Sequence, residues 1–145
     1  MPDLVAIQAG PLSFTARLEE QKAPRTVALF RTMLPYRNKI IQARWSGFAA
    51  WVPMGFGNEL DLPPENATTV PQAGDILLYP GGVSETEILF PYGPTYFASV
   101  AGPLAGNHFL TVLGGREHFE ALGQLVQWKG AQDISFELAD TREGG

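Results

Sequence analysis

Glycine and proline, 16 and 12 of the 145 residues, cut this sequence into apolar runs of four to seven residues, a length that suits strands and is too short for most helices. Many short strands parted by turn residues imply a barrel or a sandwich. Leu12, Phe14, Ala16 and Leu18 alternate with Ser13, Thr15 and Arg17, the period of a half-buried strand. Residues 40–43 and 48–52 read as strands flanking Ser46-Gly47. Residues 75–79 and 86–90 read as a hairpin around Pro80-Gly81-Gly82-Val83-Ser84. Further strands are expected at 96–101, 109–113 and 134–138, and residues 54–71, rich in Gly, Pro and Asn, form a long loop, a length that is usually functional or disordered. Only two segments carry helical spacing. Pro24 suits the first position of a helix whose stripe is Val27, Phe30, Met33 and Leu34 before Pro35 ends it. Residues 116–128 form the second, with Phe119, Leu122 and Val126 inward. Eight or nine strands and two helices fit a barrel whose open ends are plugged by the helices.

One ordinary domain spanning 1–145 is expected at this length, with its core at about 12–138 and a flexible tail at 139–145. The chain has no cysteine, so disulfides, thiolate metal sites and a cysteine nucleophile are excluded. Two histidines without His-x-His or His-Glu-x-x-His spacing make a zinc site unexpected, and no loop matches a dinucleotide or nucleotide pattern, so no metal and no cofactor are expected. The first fifteen residues lack a basic start and a long apolar run, and no stretch is apolar enough to span a membrane. The expected location is cytoplasmic. A net charge of −5 disfavours nucleic acid, whose phosphates require clustered Lys and Arg.

The charges are sorted unevenly along the chain. Residues 1–72 hold seven Lys/Arg and six Asp/Glu, whereas residues 73–145 hold three and nine. From Trp45 to Gly115 there is no Lys or Arg, yet that span carries Glu59, Asp61, Glu65, Asp75, Glu85 and Glu87 with ten of the sixteen aromatics. Few flexible cationic heads are left there to cover open surface, which points to the wall of a cavity or an interface. Trp45 and Trp51 share a face if the strand runs unbroken, with Gly47 and Ala49 leaving a hollow between the rings; if Ser46-Gly47 turns the chain, core packing is the alternative. Glu65 and Asn66 in the long loop, and Tyr92 after Phe90-Pro91, are placed around that hollow. Of the two histidines, His118 reads as solvated. In a strand over 107–113, His108 shares a face with Leu110 and Val112, while Asn107 shares the other with Phe109 and Thr111, so one of that polar pair points inward. His108 is a candidate proton carrier at neutral pH, and Glu65 a general base if burial raises its pKa.

The stretch Leu18-Glu19-Glu20-Gln21-Lys22-Ala23-Pro24-Arg25-Thr26-Val27-Ala28-Leu29-Phe30 resembles the strand-to-helix corner of cyclophilins, in which a polar turn precedes Ala-Pro-Lys/Arg-Thr-Val and a Phe. More widely, Arg44-Trp45-Ser46-Gly47, Gly74-Asp75-Ile76-Leu77-Leu78-Tyr79-Pro80-Gly81-Gly82, Glu87-Ile88-Leu89-Phe90-Pro91-Tyr92-Gly93 and Ala105-Gly106-Asn107-His108-Phe109 resemble, in that order, a family of small uncharacterised bacterial proteins, a domain of unknown function with a cyclophilin-like fold. That resemblance covers about residues 13–138. It implies a mainly β chain: a cyclophilin-like closed β-barrel of about eight strands with two capping α-helices. The catalytic strand of cyclophilins carries a Phe-His-Arg run followed by Phe-Met-x-Gln. The equivalent region here, 39–54, has no His, and Arg44 lacks that context, so prolyl isomerisation is not expected; fold does not carry function across.

The leading expectation is a barrel that binds a small neutral or cationic organic molecule in a pocket lined by aromatics and carboxylates. Trp45, Trp51 and Tyr92 wall it, and Ser46, Glu65, Asn66, Asn107 and His108 orient the ligand. Conversion of that ligand is left open: a lyase, isomerase or hydrolase with His108 or Glu65 as the proton carrier is the enzymatic version. The alternative is a non-catalytic, homo-oligomeric interaction module in which the aromatic segment is the interface.

Overall fold

Each strand offers alternate side chains to one face, and the sheet disposes of that face by closing on itself. The computed structural model describes residues 3–139. Its elements are β1 (Leu4–Ala9), β2 (Leu12–Leu18), α1 (Pro24–Met33), β3 (Tyr36–Gln42), β4 (Gly47–Pro53), β5 (Ala67–Thr68), β6 (Asp75–Tyr79), β7 (Glu87–Thr95), β8 (Ala98–Ser99), β9 (Gly102–Pro103), β10 (Gly106–Gly114), α2 (Phe119–Trp128) and β11 (Gln132–Leu138). The order round the sheet is β2-β1-β11-β3-β4-β7-β6-β10, and β10 pairs back onto β2 with Leu110 opposite Leu18 and Val112 opposite Ala16. The result is a closed, antiparallel, eight-stranded barrel, with β5 a two-residue extension beside β10.

Inside lie Val5, Ile7 and Ala9 of β1, Phe14, Ala16 and Leu18 of β2, Ile40, Ala50 and Val52, Ile76 and Leu78, Ile88 and Phe90, and Ile134 and Phe136. The two helices cover opposite ends. Phe30 of α1 meets Phe109 and Phe136 edge-on, with ring centroids 4.9 and 5.5 Å away. At the other end Phe119 of α2 stacks on Phe14 at 6.0 Å and meets Phe90 at 6.1 Å.

Part of the barrel is buried on its outer face as well. Ala49 of β4, Leu89 of β7 and Leu77 and Tyr79 of β6 pack with Ala43, Phe97 and Leu104 into a second cluster. The chain that covers them carries the small β8–β9 hairpin. Two-sided burial explains why β6 and β7 read as unbroken apolar runs, Ile-Leu-Leu-Tyr and Ile-Leu-Phe, where a strand exposed on one side would alternate.

Several boundaries differ from expectation. The barrel core begins at β1, eight residues earlier than residue 12, because Leu4-Val5-Ala6-Ile7 is apolar on both faces and hides the alternation of Val5, Ile7 and Ala9. β3 starts at Tyr36, not 40; its first half is polar because it faces water beside β11. The strand expected at 96–101 shrinks to β8, since this segment covers the barrel and is not a stave of it. Arg116–His118 forms a separate 3-10 turn before α2. The tail expected at 139–145 lies outside the described residues except for Ala139, whose N–H donates to the Leu4 carbonyl. Among the described residues no helix is long and apolar enough to cross a membrane.

Phe30 is fully buried against two aromatic rings, so Phe30→Ala should destabilise the fold by roughly 3–5 kcal/mol. Denaturant unfolding checks this, and a loss below about 1 kcal/mol would show that α1 does not plug the barrel.

Candidate functional site

The outer cluster leaves a hollow at its edge. A cavity of about 370 Å³ opens between the β3–β4 turn, the outer face of β4, the start of β7 and the β8 hairpin. Trp51, Trp45, Phe56 and Val100 supply apolar wall, and Glu85 and Glu87 supply carboxyls. Trp51 reaches it from the outer face of β4, where its partners are Leu89 across β7 and Ile41 across β3. Trp45 arrives by the second of the two routes the sequence left open, a turn at Ser46-Gly47, but lines the cavity and not the core. Gly47 has φ +96°, a left-handed backbone that only glycine adopts without strain, and the pairing with β7 shifts register before Ala49. The chain therefore turns at Ser46-Gly47, and Trp45, more than half exposed, stands on the rim.

Ser46 is also at the cavity, but its hydroxyl is engaged. It donates to the Ala98 carbonyl at 3.2 Å and accepts from the Ala98 N–H at 3.1 Å, pinning the covering segment to the turn. Glu85 accepts from the Gly55 N–H at 2.9 Å and so ties the loop after β4 to the one before β7.

Glu87 is the residue that sequence reasoning named only as one of six carboxylates. It opens β7 opposite Pro53 and Tyr79 and is 6% exposed. Among the described residues its carboxyl has no hydrogen-bond partner, although it lines the cavity. Burial, reinforced by the negative charge of Glu85, pushes its pKa up to about 8. At neutral pH it is a protonated acid, able to donate a hydrogen bond or a proton. It is the pairing of β4 with β7 that puts Glu87 and Leu89 on the face of Trp51, and strand partners are what a sequence alone leaves open.

The structure takes the other candidates elsewhere. Tyr92 lines a separate cleft of about 310 Å³ beside Phe48 and α2, its ring against Gly123, where an added Cβ would come within 2.5 Å. Its hydroxyl hydrogen-bonds Gln42 and accepts from Gln127 at 2.8 Å, while burial raises its pKa. Glu65 caps a helix from 39 residues away. The N-cap of α1 is Ala23, which has no side-chain acceptor, and the Glu65 carboxylate accepts from the Thr26 N–H at 2.6 Å in its place, where the helix dipole favours an anion. Asn107 holds that loop: it accepts from the Glu65 N–H and donates to Thr26 Oγ1 and the Pro63 carbonyl. Asn66, at φ +51°, donates to the His108 carbonyl and accepts from the His108 N–H through its own carbonyl.

His108 does not share an inward face with Leu110, because β10 shifts register against β6 between them, and Phe109 and Leu110 both enter the core. Its ring instead sits at the head of a chain of polar groups. Nε2 lies 2.8 Å from Thr111 Oγ1, Thr111 donates to Glu19 at 2.5 Å, and Arg17 pairs with Glu19 at 2.9 Å. Burial works against the charge on Glu19, but the hydrogen bonds from Thr111 and Arg17 and the positive charge of Arg17 outweigh it, so this carboxyl lies below its ordinary pKa. No cluster of three metal-ligating side chains occurs among the described residues.

A family model described as a protein of unknown function (DUF3830) matches residues 5–138. No curated protein matches the sequence. Two solved structures share the fold. McbB in complex with tryptophan superposes with a TM-score of 0.68 at 18% identity, over 92% of this chain and 44% of that one. The solution structure of the hypothetical protein AF2241 from Archaeoglobus fulgidus gives 0.63 at 18% identity, over 95% of both chains. The chain thus spans less than half the length of McbB, and at this identity the likeness is one of fold.

Because Glu87 has a raised pKa in the folded state, it binds a proton there more tightly than in the unfolded chain. Its stabilising contribution is complete below the unfolded value near 4.5 and is lost as pH rises through about 8. Glu87→Gln, which resembles the neutral acid, should therefore match the parent in stability at pH 4 and exceed it by up to about 5 kcal/mol above pH 8. Urea titrations at pH 4, 6 and 9 measure this, and a parent-to-variant difference independent of pH would contradict the assignment.

Proposed function

We propose a role from the site itself, since the chain belongs to DUF3830, a family of proteins of unknown function: it binds a small organic molecule in the cavity walled by Trp45, Trp51 and Phe56 and facing Glu87. The observation that carries this is a glutamate 6% exposed, its carboxyl without a protein partner among the described residues and opening into an aromatic hollow of about 370 Å³. Small-molecule sites have this anatomy, an apolar concavity with a few fixed polar groups, and carboxyls with perturbed pKa gather at such sites. That McbB was solved with tryptophan supports the idea that a barrel of this shape can carry a small-molecule site.

The barrel belongs with the cyclophilin-like folds, on the strength of the Ala23-Pro24-Arg25-Thr26-Val27 corner, but is put to a use other than prolyl isomerisation. If the ligand is converted, Glu87 is the proton carrier, because His108 and Glu65 already have hydrogen-bond partners and neither lines the cavity. A second reading has its own observation. Phe56 and Val100 are 78% and 79% exposed at the rim, so this face also fits a homo-oligomeric contact.

A thermal-shift screen of metabolites tests the first reading, since a ligand of the folded form raises the melting temperature. Trp45→Ala removes an exposed ring and should fold normally while weakening any ligand found by about tenfold; His108→Gln should bind like the parent. Parent-like binding by Trp45→Ala would refute the pocket. Light scattering across a dilution series tests the second reading: a mass that falls to one chain only on dilution, and rises again on concentration, would favour the interface.

A further inference from the structure

Several polar side chains around the cavity are already occupied within the protein, and two carboxyls have oxygens that are not. Ser46 exchanges both of its hydrogen bonds with Ala98. The Gln42 amide donates to the Ala43 and Gly47 carbonyls, and its oxygen takes the Tyr92 hydroxyl. Ser99 donates to the Gly102 carbonyl and accepts from the Ala101 N–H. Among the described residues the carboxyl oxygens of Glu87 and the second oxygen of Glu85 take no hydrogen bond and lie beside two tryptophans. The Ser84 hydroxyl, the two indole N–H groups and, on the exposed turn, Arg44 are likewise without a partner there; the two acids outnumber that one cation. Carboxylates and aromatic faces both attract cations.

Resting on the pocket reading above, we infer that the cavity takes a small organic ammonium, its N–H groups on Glu87 and Glu85 and its hydrocarbon part against Trp51 and Trp45. The charged and titratable groups that face Glu87 are Glu85, the Tyr79 phenol across the β6–β7 pair, and Arg44, the one cation at the cavity, on the exposed turn. Glu85 disfavours a second negative charge at Glu87, and an arriving ammonium reverses that preference. The exchange balances simply: R-NH3+ and the Glu87 carboxylic acid give the R-NH3+/carboxylate pair, and one proton leaves for solvent. With the empty-site pKa near 8, binding at pH 7 releases nearly one proton per ligand, and at pH 9 almost none. The apparent affinity therefore rises about tenfold between those two pH values.

Phenethylamine, 2-phenylethanol and 3-phenylpropionate share a benzene ring and differ in the charge of the head group. Calorimetry of the three against the full chain at pH 7 and 9, each in two buffers of different ionisation enthalpy, counts the protons released. The expected result is that phenethylamine binds at least about tenfold more tightly than the other two at pH 9, loses about tenfold at pH 7, and expels close to one proton there. Glu87→Gln should abolish both the proton release and the pH dependence, with melting temperature reporting that it folds. Equal or tighter binding of the carboxylate, which would use Arg44, or of the alcohol, overturns the ammonium assignment and leaves the cavity standing. No binding by any of the three overturns the cavity reading together with it. Phenethylamine binding without proton release, or unchanged in Glu87→Gln, places the amine away from Glu87 and also overturns the inference.

Discussion

The pairing of β10 with β2 is the contact on which the rest depends. It joins the two ends of an eight-strand order and leaves no long unpaired edge, so that every inward side chain from Val5 to Phe136 meets others across a shared interior. A closed barrel still has two open ends, and those demand helices. α2 is apolar enough on one face to seal its end by packing alone, with Leu122 and Val126 buried. α1 needs help at its start, where Ala23 cannot cap the free N–H groups, and the chain sends Glu65 from the long loop to do so. The loop at 54–71 is therefore fastened by the same bond that completes the plug, with Asn107 of β10 holding its other side.

Closure also decides where a binding site can be. The interior is filled with Phe, Ile, Leu, Val and Ala, and the cavity that gathers aromatics and carboxyls lies outside the barrel. On most of the surface β-strands show water one polar face. Across β4, β7 and β6 that face is apolar too, and the 97–104 segment is laid over it. The hollow where this cover ends is walled by side chains that the fold has already positioned: Trp51 by its strand partners, Trp45 by the Gly47 turn, Glu87 by the first ladder position of β7.

How far the sequence foretold this varies with the range of the determining contact. β2, α1 and the β6–β7 hairpin were legible because their signals are local: alternation over 12–18, Pro24 ahead of an apolar stripe, and Gly81-Gly82 between apolar runs. β1 was hidden by apolar residues on both faces, and the outer cluster by the same effect at Leu77 and Leu78. For Trp45 and Trp51 the sequence left two routes open, an unbroken strand with a hollow between the rings or a turn at Ser46-Gly47 with core packing; the chain turns, with a register shift before Ala49, and both rings line one cavity. Glu65, Asn66, Asn107 and His108 looked like free chemistry because their partners, Thr26, His108, Pro63 and Thr111, lie 3 to 81 residues away in a fold whose register was unknown; each is spoken for by a hydrogen bond within the protein.

Glu87 and Glu19 make the contrast that separates the two kinds of buried carboxyl in this chain. Both are under one-tenth exposed. Glu19 is compensated by Thr111 and Arg17 and stays ionised, an arrangement that fastens β2 to β10 at the closure itself. Glu87 is compensated by nothing among the described residues and is driven to the neutral form at physiological pH. Among the described residues no fully buried side-chain oxygen lacks a partner, so the Glu87 carboxyl meets that need through the cavity it lines, at a position where a leucine would extend the apolar run of β7 into the outer cluster. Placement of this buried acid at the mouth of the aromatic hollow follows if its partner is supplied by a ligand.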